Sequence, residues 1–315
     1  MRAAVGADLG GTKMAVGVVD GERNVLHRST ATSFGLPLDA LLDTLESELR
    51  RGLESCPEAE AVGLGIPCTI DRNRGVAVSA VNLPIIDVPV RALIADRLGL
   101  PTFIDNDANC AALAEHRFGA AKGARNAVLL TIGTGIGGGL VLEGEVYRGT
   151  GGAGAEIGHI VIDEAGPPCQ GNCPNRGCVE VFASGTALAS EGRIAAETHP
   201  DSALGRLVAG GGEIDGRAVT DAALAGDGIA VGVVEAVGRH LGVALSSLAN
   251  VFDPDVIVIG GGVAAAGELL LEPARAELRA RALPPMNAVP VVNAELGPEA
   301  GMIGAATMAL EEVGG

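Results

Sequence analysis

The chain has 315 residues, 48% of them hydrophobic and only 2% aromatic, and a formal net charge of −17. That length is more than one compact domain usually needs, so two domains with cores of Ala, Val, Leu and Ile are expected. A uniformly acidic chain without a basic cluster is a poor partner for nucleic acid or anionic membrane. No uninterrupted apolar run is long enough to span a bilayer, and the opening MRAAVGADLGG lacks the apolar core of a secretory signal. Cys56, Cys68 and Cys110 are scattered and read as buried thiols, so the expected compartment is the cytoplasm.

From the N-terminus, residues 3–8 form a short apolar run that ends at Asp8, followed by Gly10, Gly11, Thr12 and Lys13. Residues 15–19 are apolar again, Asp20-Gly21 is a hairpin signal, and residues 25–30 read as the returning strand. DLGGTK is therefore a tight turn between two strands. It is not a Walker A loop, because the order is GTK and no helix follows. The turn reads either as a phosphate-contacting β-turn, with Thr12 and backbone N–H groups as donors, or as an ordinary hairpin. Apolar spacing at Leu41, Leu42, Leu45, Leu49 and Leu53 predicts a helix over 39–53. A buried strand is expected over 61–66, closed by Pro67, then a loop at Asn82-Leu83-Pro84 and a helix over 90–98 stopped by Gly99.

A strand over 101–104 runs into Asp105-Asn106-Asp107-Ala108-Asn109, and a helix is expected over 110–118. Polar clusters at strand C-termini are where open α/β sheets place ligands. Asp107 or Asn109 would also serve as the helix N-cap, but two Asp and two Asn exceed what one cap requires. Residues 127–132 form another strand, followed by the glycine-and-threonine turn at 133–139 and a strand over 140–142. An offset of 123 places Gly10 on Gly133 and Gly21 on Gly144, which points to a duplicated architecture with a phosphate-facing turn in each half. A nucleotide's phosphates between the two halves would account for both turns.

Glu156 to Glu180, reading EIGHIVIDEAGPPCQGNCPNRGCVE, is the densest chemical stretch. Glu156 and His159 share one face of a helical turn. Cys169, Cys173 and Cys178 follow within a Pro/Gly-rich loop that needs something to hold it. His159 plus three cysteines suits tetrahedral structural zinc; a disulfide with a spare thiol, or three unrelated thiols, are the alternatives. Helices are expected over 182–196 and 228–249, with an acidic helical surface region between them. A strand over 256–259 ends in Gly260-Gly261-Gly262, which reads as a platform for adenine or ribose, or as a plain tight turn. A strand over 289–292 and a closing helix over 301–313 complete the chain.

The ordered set DLGGTK (8–13), GIP (65–67), NLP (82–84), DNDAN (105–109), TIGTGIGGG (131–139), EIGH (156–159), CVE (178–180) and IGGG (259–262) resembles the ROK family of sugar kinases and regulators over nearly the whole chain. The resemblance implies an α/β, actin-like (ribonuclease H-like) duplicated fold with mixed sheets and a cleft between two domains. Residues 1–117, completed by a helix at about 300–315, would be the small domain, and 118–299 the large domain with the zinc loop. It implies an ATP:hexose 6-phosphotransferase with Asp107 as general base and Asn82, Asn106, Glu156, His159 and Glu180 on the sugar. Asp8 would hold Mg2+ through water. Gly11, Thr12, Gly133 and Thr134, with Gly10, Lys13 and Gly135 in the same turns, would face the phosphates, and Gly261 with Gly262 the adenosine. His159, Cys169, Cys173 and Cys178 would bind structural Zn2+. Glucose is the first expectation for the sugar, with N-acetylmannosamine and fructose behind it, ATP or polyphosphate as donor, and a homodimer or dimer of dimers as the assembly. The family's regulators carry a DNA-binding domain ahead of the first motif, whereas seven residues precede Asp8 here, so a kinase is expected. Two departures stand out. The cysteines are spaced C-x3-C-P-N-R-G-C where the family reads C-x-C-G-x-x-G-C, and Ile85-Ile86 follow NLP where glucokinase-like members carry Trp.

Overall fold

A computed structural model describes residues 2–314; Met1 and Gly315, the ends of the two expected domain spans, lie outside the described residues. The chain packs as two compact units: Met1–Gly123, Gly139–Ala155 and Glu295–Gly315 form the first, and Ala124–Gly138 with Glu156–Ala294 the second.

In the first unit β1 (Ala3–Leu9), β2 (Lys13–Asp20) and β3 (Val25–Thr32) form an antiparallel meander. The 18-residue helix α1 (Leu38–Ser55) buries Leu41, Leu42, Leu45 and Leu49, the stripe that their 3.6-residue spacing dictates. β4 (Ala59–Ile66) pairs in parallel with β1. A small sheet of β5 (Cys68–Asp71), β6 (Val76–Ala80) and β7 (Ile86–Val88) follows, then α2 (Val90–Leu98), closed by Gly99 in the left-handed conformation. β8 (Thr102–Asn106) adds in parallel to β4 and leads directly into α3 (Asp107–Phe118). The helix thus starts three residues before the position its apolar pattern suggests, because the Asn106 side chain caps it.

The second sheet repeats the first. β9 (Ala127–Ile132), β10 (Ile136–Leu142) and β11 (Glu145–Tyr147) are followed, after helices α4 (Val179–Ala183), α5 (Gly185–Thr198), α6 (Ala203–Ala209), α7 (Gly216–Leu224) and α8 (Gly228–Phe252), by β12 (Val256–Gly260). Helix α9 (Glu268–Arg281), strand β13 (Val291–Asn293) and helix α10 (Ala300–Gly314) close the chain. The strand orders are β3-β2-β1-β4-β8 and β11-β10-β9-β12-β13, the same path run twice, with the fourth and fifth strands parallel in each. The glycine run 137–139 is strand, not turn, since β10 starts at Ile136. α8 has the length and apolarity of a membrane span, yet it packs along α9, with Gly238 against the Leu270 carbonyl and Gly242 against Ala274 and Glu277.

α10 lies across β1 and β4 and against α3. Its approach is set by missing side chains: a Cβ on Gly63 of β4 would strike the Ala305 carbonyl, and one on Gly304 would strike the Cys110 carbonyl of α3. Gly304→Val is therefore expected to destabilise the protein by about 1–3 kcal/mol or more, as overpacking of a closed core does. Urea denaturation measures it, and an unchanged midpoint would show that α10 can back away from α3.

Candidate active site

In the first unit the DLGGTK turn is pinned from behind. The Gly10 N–H donates to the Lys13 carbonyl at 2.9 Å, the Ser33 hydroxyl to the Gly10 carbonyl at 2.5 Å, and the Ser33 N–H to the Thr12 carbonyl at 3.1 Å. Thr12 and Lys13 remain exposed at the tip. Asn82 lies over this turn, since a Cβ on Gly11 would come within 2.8 Å of the Asn82 Cβ. Asp8 sits between Ala15 of β2 and Gly65 of β4. Its carboxylate rests on the first turn of α10, where a Cβ on Gly301 would lie 2.5 Å from Oδ2. Burial, reinforced by the charge of Asp107 and opposed by Lys13, pushes Asp8 from the usual 3.8 up to about 7.

The DNDAN stretch divides its polar groups between structure and surface. The cap of α3 is Asn106, not Asp107 or Asn109: its Oδ1 accepts from the Ala108 N–H at 2.9 Å and the Asn109 N–H at 3.3 Å. Its Nδ2 donates to the Cys68 carbonyl at 3.4 Å. Asp105 is 1% exposed and accepts from the Asn106 N–H, the Asn109 side chain and Arg148. Asp107, half-buried in the first helical turn, stands close enough to Asp8 for each charge to oppose the other. The first unit thus brings Asp8, the 10–13 turn, Asn82, Asn106 and Asp107 into one neighbourhood.

The second unit holds the remaining predicted residues. In the turn between β9 and β10 the Gly133 N–H donates to the Gly135 carbonyl at 2.9 Å. Glu180, on α4, covers this turn: its Oε2 accepts from the Ile136 N–H at 2.8 Å and occupies the space a side chain on Gly135 would need. Glu156 precedes a single 3-10 turn over Ile157–His159, and the His159 N–H donates to the Glu156 carbonyl at 3.1 Å. Burial raises the Glu156 carboxyl above its ordinary range although the side chain reaches solvent; His159 opposes the shift and Glu180 adds to it. Gly133, Thr134 and Gly262 line a cavity of about 740 Å³ together with Thr186, Arg193 and Asp215, a volume suited to a small molecule. The N-terminal ends of α5 and α7 meet there, and the Gly185 N–H and Thr186 hydroxyl donate to the Gly133 and Thr134 carbonyls at 2.7 and 2.8 Å. Gly261 does not line the cavity. Its φ of +86° and the Ile132 carbonyl 2.5 Å from any Cβ there make it the residue that lets the loop back onto β9.

The cysteine loop folds as an irregular hairpin, with bridges at Val161–Cys178 and Pro168–Arg176. It gathers His159, Cys169, Cys173 and Cys178, whose ligand atoms all lie within 4.8 Å of one another. Cys173 Sγ and Cys178 Sγ are 3.9 Å apart and Cys169 Sγ is 3.5 Å from His159 Nδ1. A zinc ion with Zn–S of about 2.3 Å and Zn–N of about 2.0 Å in a tetrahedron spaces its sulfurs by about 3.8 Å and a sulfur–nitrogen pair by about 3.5 Å. The shifted Cys169 is thus within the set, and its earlier position is absorbed by the turn at Gln170–Cys173. The spacing is far too long for a disulfide. Burial, followed by hydrogen bonds with Cys178 and Cys173, pushes the Cys169 thiol up to about 12. Sequence reasoning missed Ser33, Arg148, Thr186, Arg193 and Asp215. A Ser-Gly-Thr helix start at 184–186 and a lone Arg148 before a glycine run were the available signals.

A sequence model of the family described as the ROK family matches residues 4–312. The chain is 37% identical over 317 residues to a glucokinase of Streptomyces coelicolor, covering 99% of this chain and 98% of that one. The solved structure of a ROK family glucokinase from Streptomyces griseus in complex with glucose and AMPPNP is 35% identical, with a TM-score of 0.88 over 98% of this chain and 99% of that one. A xylose repressor of Bacillus spizizenii is 28% identical, over 98% of this chain and 77% of the repressor.

The raised carboxyl of Asp8 has a thermodynamic consequence. The folded protein holds a proton there up to about pH 7, whereas the unfolded chain loses it near 3.8. Stability from this group is therefore greatest below the unfolded value of 3.8, falls as pH rises through about 7, and then levels off. Asp8→Asn is expected to raise the melting temperature at pH 8 in the absence of divalent cations and to change it little at pH 4. Equal shifts at the two pH values would remove Asp8 as the source.

Proposed function

The chain belongs to the ROK family, and from that premise we propose that it transfers the γ-phosphoryl group of ATP to a hexose, with glucose as the first substrate. Its fold is the actin-like sugar-kinase fold. The observation that carries the proposal is the neighbourhood of Asp107 and Asp8 beside the pinned 10–13 turn, with a second glycine turn among the residues that line the 740 Å³ cavity. Similarity to the glucokinase is higher than to the repressor and spans nearly all of its length, which favours a kinase over a regulator.

In this reading Asp107 accepts the proton of the sugar hydroxyl as its oxygen bonds to the γ-phosphorus, and the bond from that phosphorus to the bridging oxygen breaks to release ADP. Such transfer depends on positioning and charge neutralisation, and the parts are present as backbone turns and carboxylates. The two glycine turns, at 10–13 and 133–135, take the phosphates, and Thr186, Arg193 and Asp215 extend the nucleotide site in the cavity beside Gly262. Asp8, its carboxyl crowded by Asp107, is the residue that would hold Mg2+, which when bound neutralises phosphate charge. Asn82, Asn106, Glu156, His159 and Glu180 are assigned to the sugar, Asn106 through the part of its amide not used in capping α3. His159 Nδ1 and the three cysteines are the residues that would hold zinc; four protein ligands would leave it a scaffold that sets the spacing of Glu156 and Glu180.

Asp107→Asn is expected to keep the fold and glucose affinity while kcat falls by roughly 10²–10⁴-fold, the usual worth of a general base. Turnover with ATP-Mg2+ on a panel of hexoses, run beside wild type, tests the base and ranks glucose against N-acetylmannosamine and fructose. Retained turnover would take Asp107 out of the role, and no turnover of any hexose by the wild type would refute the kinase.

Protein purified without added metal is expected to carry one zinc per chain. Cys169→Ser should lose most of it, and Cys178→Ser should weaken glucose binding far more than AMPPNP binding in calorimetry. Full zinc content in Cys169→Ser would exclude that residue as a ligand.

A further inference from the structure

Arg148 lies outside every motif that carries the family resemblance, yet in the first unit it joins three pieces of chain. Its Nε donates to Asp105 Oδ2 at 2.5 Å, with the two side chains 19% and 1% exposed. Its Nη1 donates to the Val146 carbonyl at 3.2 Å, and its own carbonyl accepts from the Gly154 N–H at 2.9 Å, closing residues 148–154 into a loop. The tip of that loop is fastened to β5: the Arg72 N–H donates to the Gly151 carbonyl at 3.1 Å, and Gly152 lies against the Ile70 carbonyl. β5 also supports the other side of the site, because the Cys68 carbonyl accepts from Asn106 Nδ2.

Asp105 is the point on which these contacts converge. Its Oδ1 accepts from the Asn106 N–H at 2.8 Å and from Asn109 Nδ2 at 3.0 Å, one on each side of Asp107. Asn109 is 1% exposed, and its Oδ1 has no hydrogen-bond partner, so the Asp105 carboxylate is what orients that amide. Asp105 lies too deep to reach a substrate.

We propose that Arg148 is a positioning residue: by clamping Asp105 it fixes the register of the strand-to-helix junction that presents Asp107. The inference rests on the reading of Asp107 as the general base. A junction held by a buried, charge-assisted hydrogen bond has little play, and displacing a reacting group by about 1 Å costs roughly 10²-fold in rate. Without Arg148 the Asp105 carboxylate loses its counter-charge, and the junction is free to shift by rotating Asp105 towards other donors.

Because a buried charge left without its partner destabilises a protein, the test separates position from stability. Arg148→Met, Arg148→Lys and the double variant Asp105→Asn/Arg148→Met are compared with wild type and with Asp107→Asn, using glucose and ATP-Mg2+ as substrates. In the double variant no unpaired buried charge remains, and the amide introduced at position 105 keeps an acceptor for the Asn106 N–H. The melting temperature of that variant is expected to recover towards wild type while kcat stays roughly 10²-fold low and KM for ATP moves less than about threefold. Arg148→Lys is expected to restore part of kcat. A folded double variant with kcat within about threefold of wild type would overturn the proposal and leave Arg148 a stability residue. Full turnover in Asp107→Asn would instead overturn the base assignment.

Discussion

The close approach of α10 to the first sheet is the constraint on which the rest of that unit depends. Gly6 and Gly63 leave the strands bare where the helix crosses them, and Gly301 and Gly304 leave the helix bare where it meets Asp8 and α3. At Gly6, Gly63 and Gly304 backbone meets backbone, so no side chain can adjust the distance there. The chain that achieves this has 48 glycines and few aromatic residues, and Ala, Val, Leu, Ile and Met fill the core around these contacts. Asp8 is held against a helix N-terminus and α3 is held at Cys110, near its start, by one arrangement, so the carboxylates of β1 and α3 are located by packing rather than by contact with each other.

The two sheets share a strand path, and each ends its first strand in a glycine turn. The chemistry attached to them differs. In the first unit the turn is backed by Ser33 and faced by Asn82, an uncharged amide. In the second it is faced by Glu180, which brings a carboxylate and the end of the cysteine loop. The repeated element is thus the backbone platform, and the side chains that give each platform its purpose come from the segments between strands.

That division explains what could be read in the sequence. The turns, the amphipathic α1, the strand into DNDAN and the Cys3His set were all legible, because each depends on local chemistry: glycine between apolar runs, a 3.6-residue stripe, ligand residues in a loop with no other support. The sheet of β5 to β7 was not visible, since its strands are short and half-exposed. Helix α9 was also missed; its charged surface and internal Pro273 hide a buried stripe of Leu270, Leu271, Ala274 and Leu278. Asn106 as the cap was indistinguishable from its neighbours, all of which are capping residues. Arg148 and Thr186 act on partners 43 and 52 residues away, and no local pattern reports such pairings.

The contact between Glu180 and the second turn restricts how this protein can change over time. Glu180 Oε2 fills the volume above Gly135 and takes the N–H of Ile136. Alanine at 135 cannot be accepted while Glu180 stays where it is, and a shorter acid at 180 would leave that N–H without its acceptor. The two positions are therefore coupled: a side chain at 135 is tolerated only if the Glu180 carboxylate swings aside and gives up the Ile136 N–H, so a change at one alters what the other can accept.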